Sequence, residues 1–481
     1  MSDLKRQTVS GIKWLVGSSF IQRGIQTITT VVLARLLGPV DFGLFALAFV
    51  AIDALGLFKS MGFDSALIQR KDNVEKAANT AFFIIPLLGI MLYFILTLSA
   101  PWIGRFLNNT QVVRVIRALG IIFIISCFSK VPAALLEKKM QFRKASIIEI
   151  STALVYGLSA IAFAFLKFGV WSLVIAYILK TVNQAILTFI YAKWRPKFEF
   201  DRRIALEMFH FGKFLFLGGV VWFLKMNLDN LLVGKLLGVS ALGIYAIAFN
   251  LANFPADYFG GKVYRVIFPA FSRIQDDQYD LKQAFLKTTK FVGIFTFPFC
   301  AILFLMGDEV IRLIYGLKWL EAIGVLKVLA FAGLLNTLPV AMGPLFNAAG
   351  HPKAGFWCGV IQVALFFLFI APAAKVFGLV GVGLVVVISS FVAVIAYLPF
   401  TMKLVSLKIT DIYLSLKPGL LSSFLMAIGI ILLKYILPKC DIGIQFYYNL
   451  GILAFFSIII YNFTLFKIER NLFKEIKEMV F

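Results

Sequence analysis

Residues Val31–Phe49 read VVLARLLGPVDFGLFALAF and residues Leu231–Phe249 read LLVGKLLGVSALGIYAIAF, so the chain writes one pattern twice, 200 residues apart. Leu36, Leu37, Gly38, Gly43, Ala46, Ala48 and Phe49 return as Leu236, Leu237, Gly238, Gly243, Ala246, Ala248 and Phe249, and Arg35 returns as Lys235. Each copy reads as the end of one apolar helix, a tight glycine-containing turn and the start of the next helix. An internal repeat of this kind fixes architecture before any motif is considered. Ile103–Leu107 resembles Val310–Ile314, and Val115–Leu119 resembles Val325–Leu329, at offsets that grow to 207 and 210. These matches are short, but their order supports two homologous halves with a longer connection in the second.

Composition gives the solvent. Of the 481 residues 61% are hydrophobic and only 15% charged, and the mean hydropathy is +0.92. Apolar runs long enough to cross a bilayer, at ~20 residues each, recur from end to end. The chain is therefore expected to be an all-α polytopic membrane protein; a β-barrel would show short alternating segments instead. The net charge of +23 fits lysine- and arginine-rich cytoplasmic loops rather than a nucleic-acid partner. Cys127, Cys300, Cys358 and Cys440 are widely spaced in or beside apolar runs, and His210 and His351 are isolated. Neither a metal site nor a disulfide framework is expected. The N-terminus shows no cleavable leader pattern and reads as an amphipathic entry into the first span.

Fourteen spanning segments are predicted: 11–37, 40–61, 79–100, 113–136, 146–167 and 170–192, then 212–237, 240–268, 286–306, 322–345, 355–376 and 379–402, and finally 416–437 and 443–466. Six segments separate the two copies of the repeat. An even number preserves orientation, so the halves are parallel repeats about an axis along the membrane normal. The expected division is an N-lobe over 1–192, a cytoplasmic amphipathic linker over 193–211, a C-lobe over 212–402, and two extra helices with a cytoplasmic tail over 403–481. Pro196 breaks any helix within the linker, and the Asp201–Lys213 segment is amphipathic enough to lie on the membrane surface. Lysine and arginine accumulate on alternate connections, including Arg70-Lys71, Lys138-Lys139, Arg143-Lys144 and Lys193 to Arg203. That asymmetry places both termini in the cytoplasm.

Ionisable groups inside spans are costly and tend to face an aqueous cavity or a partner helix. Arg23, Gln26, Thr27 and Thr30 share one face of the first segment at helical spacing. The second carries Asp53 at depth and Lys59 near its cytoplasmic end. Lys180, Asn183, Gln184 and Thr188 stripe the sixth, and Lys225 and Asp229 are an i, i+4 pair on the seventh. The eighth carries Asn250, Asn253, Asp257, Lys262 and Arg265. The competing reading is structural: helix-to-helix hydrogen bonds, neutralised pairs, or long side chains snorkelling to the interface. The clustering on segments one, two, six, seven and eight favours a mixed but net basic cleft between two lobes. Arginine and lysine suit a phosphate there, and Asn, Gln, Ser and Thr suit hydroxyl-rich ligands. The candidate substrate-binding residues are Arg23, Gln26, Thr30, Asp53, Lys59, Lys180, Asn183, Lys225, Asn253 and Arg265. Candidates for ion coupling are Asp53, Asp229 and Asp257.

Several stretches resemble a known family. Thr8-Val-Ser-Gly-Ile-Lys-Trp14, Val32-Leu-Ala-Arg-Leu-Leu-Gly-Pro39 with Asp41-Phe-Gly43, and Gly62-Phe-Asp-Ser-Ala-Leu-Ile-Gln-Arg-Lys-Asp72 look like the opening of bacterial polysaccharide-unit (Wzx-type) flippases. Phe168-Gly-Val-Trp-Ser-Leu173 and Trp194-Arg-Pro196 fit as well. Within that polysaccharide transporter branch, the chain is most similar to exopolysaccharide, colanic-acid and teichuronic-acid exporters. The superfamily also holds multidrug extruders and the lipid II flippase. The resemblance implies two six-helix bundles, two further helices and a central cavity. The implied cargo is an oligosaccharide repeat unit on polyprenyl pyrophosphate, moved from the cytoplasmic to the outer leaflet of the bacterial inner membrane by alternating access. The family has no compact substrate motif that fixes individual cavity residues.

A multidrug extruder shares the expected fold, but cationic cargo would favour an acidic cavity, whereas Arg23 and Lys180 point the other way. A glycosyltransferase or polysaccharide polymerase would need a sizeable outer loop or a loop-borne catalytic group, and an acyltransferase a membrane-embedded histidine. No Walker A motif is present, so no nucleotide drives transport directly. The expectation is a monomeric non-enzyme without cofactor or metal, driven by a proton or sodium gradient. Its partners are the lipid-linked oligosaccharide, the bilayer and polysaccharide polymerase or assembly proteins.

Overall fold

The turn at Gly38-Pro39 sets where the first repeated helix pair divides. Helix α1 spans Ser2–Leu36 and α2 spans Pro39–Gly56, with proline in the first turn, where its missing N–H costs nothing. Asp41 Oδ2 accepts the backbone N–H of Gly38 at 3.0 Å and so satisfies a donor at the helix start. In the second copy α8 (Arg202–Leu236) and α9 (Val239–Ala252) divide at Gly238, whose φ of +88° lies in the region glycine favours. Ala241 stands in the place of Asp41, so the second turn relies on glycine geometry where the first uses a carboxylate.

The structure is a computed structural model that describes residues 2–59, 62–70, 72–256, 267–268, 270–437 and 444–469. The side chains at 2–13, 15, 16, 210–219, 221, 222, 225, 352 and 444 also lie outside the description. Helices and the turns between them account for the described residues, among which there is no strand. Between the two copies lie α3 (Phe63–Gln69), α4 (Val74–Phe106), α5 (Gln111–Lys138), α6 (Phe142–Phe165) and α7 (Val170–Ala192). After them come α10 (Gln278–Leu305), α11 (Gly307–Ile314), α12 (Ala322–Leu335), α13 (Thr337–Ala348), α14 (Pro352–Leu404), α15 (Ile409–Ile436) and α16 (Ile444–Ile468).

Ten of the described helices are long and apolar enough to cross a membrane. The fourteen expected segments differ from these for identifiable reasons. α1 is long enough, yet its polar residues lower its mean hydropathy, and much of the apolar stretch of α8 lies among the side chains outside the description. α9 ends at Ala252, and within the expected 240–268 segment residues 257–266 lie outside the described residues. Segments 355–376 and 379–402 appear as one helix interrupted at Gly378, where φ is +57°. Its 53 residues would be about 80 Å long, far beyond one ~30 Å crossing. The amphipathic stretch expected to lie separately over 201–213 instead opens α8, which runs unbroken from Arg202 into the seventh expected span.

Contacts divide the chain into two compact units, Met1–Ala246 and Ile247–Phe481. In the first, Ser18 Oγ donates to Ser146 Oγ at 3.1 Å, and a Cβ on Gly157 would lie 2.5 Å from Thr29 Oγ1. Both pairs differ by 128 positions, so α1 and α6 run parallel in one register, and the small residues let the helices approach closely. The two turns of the repeat also meet in this unit. A Cβ on Gly43 would fall 1.8 Å from the carbonyl oxygen of Val239, and one on Gly243 would fall 1.9 Å from that of Pro39.

In the second unit, Phe271, Phe285, Met342, Phe346 and Tyr397 form one core and Ile294, Met426, Ile430 and Leu453 another. α15 and α16 are fastened to neighbouring helices by Lys282–Asp411 (2.6 Å), Lys290–Glu469 (2.8 Å) and Lys434–Glu309 (2.7 Å).

Candidate functional site: a caged lysine on α7

Lys180 projects from α7 into an aromatic cage in the first unit. Its Nζ lies 4.7 Å from the Tyr177 ring centroid and 5.8 Å from that of Tyr156 on α6. Tyr177 precedes it by three residues, which puts both side chains on one helix face. The Tyr177 ring meets Phe49 edge-on at 4.7 Å, Phe45 at 6.3 Å and Tyr156 at 6.2 Å. Phe45, Phe49 and Asp53 follow one another at four-residue steps along α2, so one stripe presents two rings and then a carboxylate. Asp53 is exposed and within electrostatic range of the Tyr177 phenol. A cation over a ring face gains ~0.5–1 kcal/mol where exposed and ~2 kcal/mol or more where desolvated. The cage thus holds the ammonium without neutralising it, and among the described residues Lys180 has no ion-pair partner.

The common register of α1 and α6 places Arg23 level with Ser151, whose hydroxyl accepts the Asn183 amide at 3.1 Å. Arg23 is half-buried and has no hydrogen-bond or ion-pair partner among the described residues. On the same helix Gln26 and Thr27 are exposed and Thr30 is half-buried. The first unit therefore combines two cations without carboxylate partners, a hydrogen-bonded Asn–Ser pair and a wall of four aromatic rings. Such a set can hold an anion and stack against a flat polar ring.

Other expected residues have different settings. Lys59 is half-buried beyond the end of α2, beside the Lys130–Asp64 pair (3.3 Å), and its carbonyl accepts the Cys127 thiol at 3.8 Å. Asp229 is sealed at 2% exposure, accepting the Tyr245 hydroxyl at 2.7 Å and the Asn230 N–H at 2.8 Å. The Lys225 side chain, its expected partner, lies outside the described residues. Asn253, in the second unit, is 6% exposed and accepts from the Asn336 amide at 3.4 Å, a helix contact rather than an open polar stripe. Asp257, Lys262 and Arg265 lie outside the described residues. Tyr156, Tyr177, Phe45 and Phe49 were absent from the sequence-based site. The signal for them was the spacing of Tyr177 to Lys180 and of Phe45 and Phe49 to Asp53.

Outside the spans, the connection from α7 to α8 is tied to the start of α4. Asn79 Oδ1 accepts the Lys197 N–H at 3.1 Å while its amide donates to Glu199 at 3.2 Å, and Thr80 Oγ1 accepts the Asp201 N–H at 3.1 Å. Asp201 pairs with Lys76 at 3.0 Å and caps α8 by accepting the Arg203 and Ile204 N–H groups. The Lys76 hydrogen bond first, and then the capped Ile204 N–H, hold its carboxyl below the usual carboxylate range.

The segments that carried the family resemblance meet in this unit. Asp41 Oδ1 lies 3.1 Å from the place a Cβ would take on Gly169, which is kept in a left-handed turn at φ +57°. Two curated relatives align over most of the chain. The teichuronic acid biosynthesis protein TuaB of Bacillus subtilis (strain 168) is 30% identical over 395 residues, 82% of this chain and 82% of that protein. The lipopolysaccharide biosynthesis protein WzxC of Escherichia coli (strain K12) is 29% identical over 387 residues, 79% of this chain and 78% of that protein. Among solved structures, the inward closed conformation of the lipid II flippase MurJ superposes with a TM-score of 0.76 at 17% identity, covering 95% of this chain and 99% of that one. An inward-facing multidrug resistance MATE family transporter reaches 0.61 at 16% identity, over 80% of this chain and 98% of that one. At such identities the superpositions establish the fold alone. Residues 32–324 match the profile of a family described as polysaccharide biosynthesis protein, and the chain belongs to that family.

Proposed function

We propose that this protein moves polyprenyl-pyrophosphate-linked oligosaccharide repeat units from the cytoplasmic to the outer leaflet of the inner membrane, by alternating access, for surface polysaccharide biosynthesis. The proposal includes fourteen crossings, as two repeated six-helix bundles and two further helices, with both termini cytoplasmic. The observation that carries it is the pair of cations, Arg23 and Lys180, left without carboxylate partners inside an apolar bundle. An anion leaving the headgroup region for a partly desolvated site needs compensating positive charge. The rings of Tyr156 and Tyr177 supply a surface on which sugars stack. No covalent step on the cargo is involved, and a proton or sodium gradient is the proposed energy source, with Asp53 and Asp229 as the described candidates for coupling. A polymerase or other assembly protein would take the flipped unit.

The decisive experiment measures surface polysaccharide in a strain lacking the native gene and complemented with Arg23→Ala or Lys180→Ala, with membrane abundance followed in parallel. Export is expected to fail in both while abundance is kept. Normal export in both variants would remove these cations from transport. The rival reading, a multidrug extruder, rests on the fold shared with the MATE transporter. Unimpaired export together with drug sensitivity on deletion would favour it.

A further inference from the structure

The connection between α7 and α8 carries aromatic rings that fold no core. Phe198 is 97% exposed and Phe200 57%. Phe198 sits at the tip of a tight turn that the Glu199 N–H closes on the Lys197 carbonyl at 2.8 Å. The groups around it are engaged: the Lys197 N–H and Glu199 carboxylate on Asn79, and the Asp201 carboxylate on Lys76. Trp194 packs against Phe82 at 5.5 Å. The segment is thus pinned to α4 on one side while its two phenylalanines remain on the other.

What covers them follows from where they are pinned. Phe198 meets Phe83 edge-on at 5.6 Å. Phe83 begins the exposed apolar stripe of α4, which continues through Leu87, Phe94, Leu98 and Trp102 to Phe106. From Phe83 to Phe106 that stripe measures ~35 Å at the helical rise, close to the ~30 Å hydrocarbon thickness. Before Phe83 the same helix is buried (Ala77, Ala78, Asn79, Thr80, Ala81) or charged (Glu75). Phe198 therefore stands at the edge of the hydrocarbon slab. Charge agrees with this position. Glu75, Asp201 and Glu207 are each in an ion pair, with Lys197, Lys76 and Arg70 respectively. Arg195 and Arg202 are exposed and have no ion-pair partner among the described residues. Apolar rings beside uncompensated cations at a bilayer boundary match an acidic lipid surface.

We propose that residues 194–202 form an interfacial strap in which Phe198 and Phe200 enter the bilayer while Arg195 and Arg202 hold the phosphates of anionic phospholipids. The strap fixes the height of this unit in the membrane at the point where α8 begins.

The test places a spin label at F198C or F200C in a C440S background; Cys127, Cys300 and Cys358 are buried and do not compete for label. The protein is reconstituted in phosphatidylcholine with or without phosphatidylglycerol. Replacing a ring this exposed removes no core contact, so the variants keep the fold. At 198 and 200, collision with oxygen should exceed collision with a water-soluble nickel chelate several-fold, and a D72C control in the exposed loop before α4 should show the reverse. Nickel access at 198 equal to that at 72 overturns the strap. Arg195→Gln and Arg202→Gln should each lower the phosphatidylglycerol retained by detergent-extracted protein, counted by native mass spectrometry, about five-fold. Immersion of the label with no preference for phosphatidylglycerol over phosphatidylcholine overturns the anionic-lipid half of the proposal.

Discussion

Gly43 and Val239 pack so tightly that a Cβ on the glycine would reach within 1.8 Å of the valine carbonyl oxygen, and Gly243 stands to Pro39 in the same way at 1.9 Å. The two contacts interchange under the 200-residue repeat, since 39 becomes 239 and 43 becomes 243. Because the obstacle is backbone, it cannot rotate aside. Gly43→Ala and Gly243→Ala should each cost about 1–3 kcal/mol of stability, and the double variant less than the sum because both open the same gap. Gly24, with nothing near its Cβ position, is the control: Gly24→Ala should be neutral or stabilising by ~0.5–1 kcal/mol. Thermal unfolding in detergent reads all four variants, and an unchanged midpoint for Gly43→Ala would contradict the packing.

The cage around Lys180 separates a ring from a hydroxyl. Tyr177→Phe keeps the face that the ammonium covers and should export near normally. Tyr177→Leu removes a cation–π contact of about 1–2 kcal/mol and should lower export several-fold, at equal membrane abundance. Equal export by the two variants would mean that the ring has no part in holding Lys180.

Asn79 satisfies the Lys197 N–H from a fully buried position. Asn79→Ala leaves that donor without its partner, a loss of about 1–3 kcal/mol localised to the connection between α7 and α8. Limited trypsin digestion should then cut after Lys193 or Lys197 many times faster than in the parent protein, whereas the Arg195–Pro196 bond resists trypsin in both. Cleavage at the parental rate would show that the ion pairs alone hold this segment.

The Asp201 tie has a defined pH dependence. Its carboxyl titrates below the ordinary range in the folded protein because Lys76 and the helix start bind the charged form. The tie is therefore fully present above the unfolded value of ~3.9 and is lost as pH falls through the lower folded value. Pepsin cleavage of the connection should accelerate below about pH 4 in the parent protein. Asp201→Asn should be cut readily at every pH where pepsin is active. A parent rate that stays flat on acidification would exclude the carboxylate as the fastener.

The repeat and the helical class were legible because both are written in local apolar spacing. Gly43 and Gly243 were visible as a recurring pair, but their mutual contact was not, since spacing alone does not say which backbone a glycine faces. Arg23, Asp53 and Lys180 stood out because charge is rare in apolar runs. Phe45, Phe49, Tyr156 and Tyr177 did not, because rings are common there and only their convergence on Lys180 distinguishes them. Asp229 and Asn253 stood out likewise, as polar groups in apolar runs, but their partners, Tyr245 and Asn336, did not, since spacing within a span does not say which residue of another helix it meets.

α4 and α8 have almost the same length, 33 and 35 residues, and are fastened at both ends. Lys76 near the start of α4 holds Asp201 at the start of α8, and Lys235 near the end of α8 donates to the Phe106 carbonyl at the end of α4. Two rods joined like the rails of a ladder cannot slide past one another while either rung is intact. A displacement applied at Asp201 is then delivered some 50 Å away at Lys235. The connection after α7 would act as the handle of a push-rod, linking events on one side of the membrane to the geometry of the repeated turn on the other.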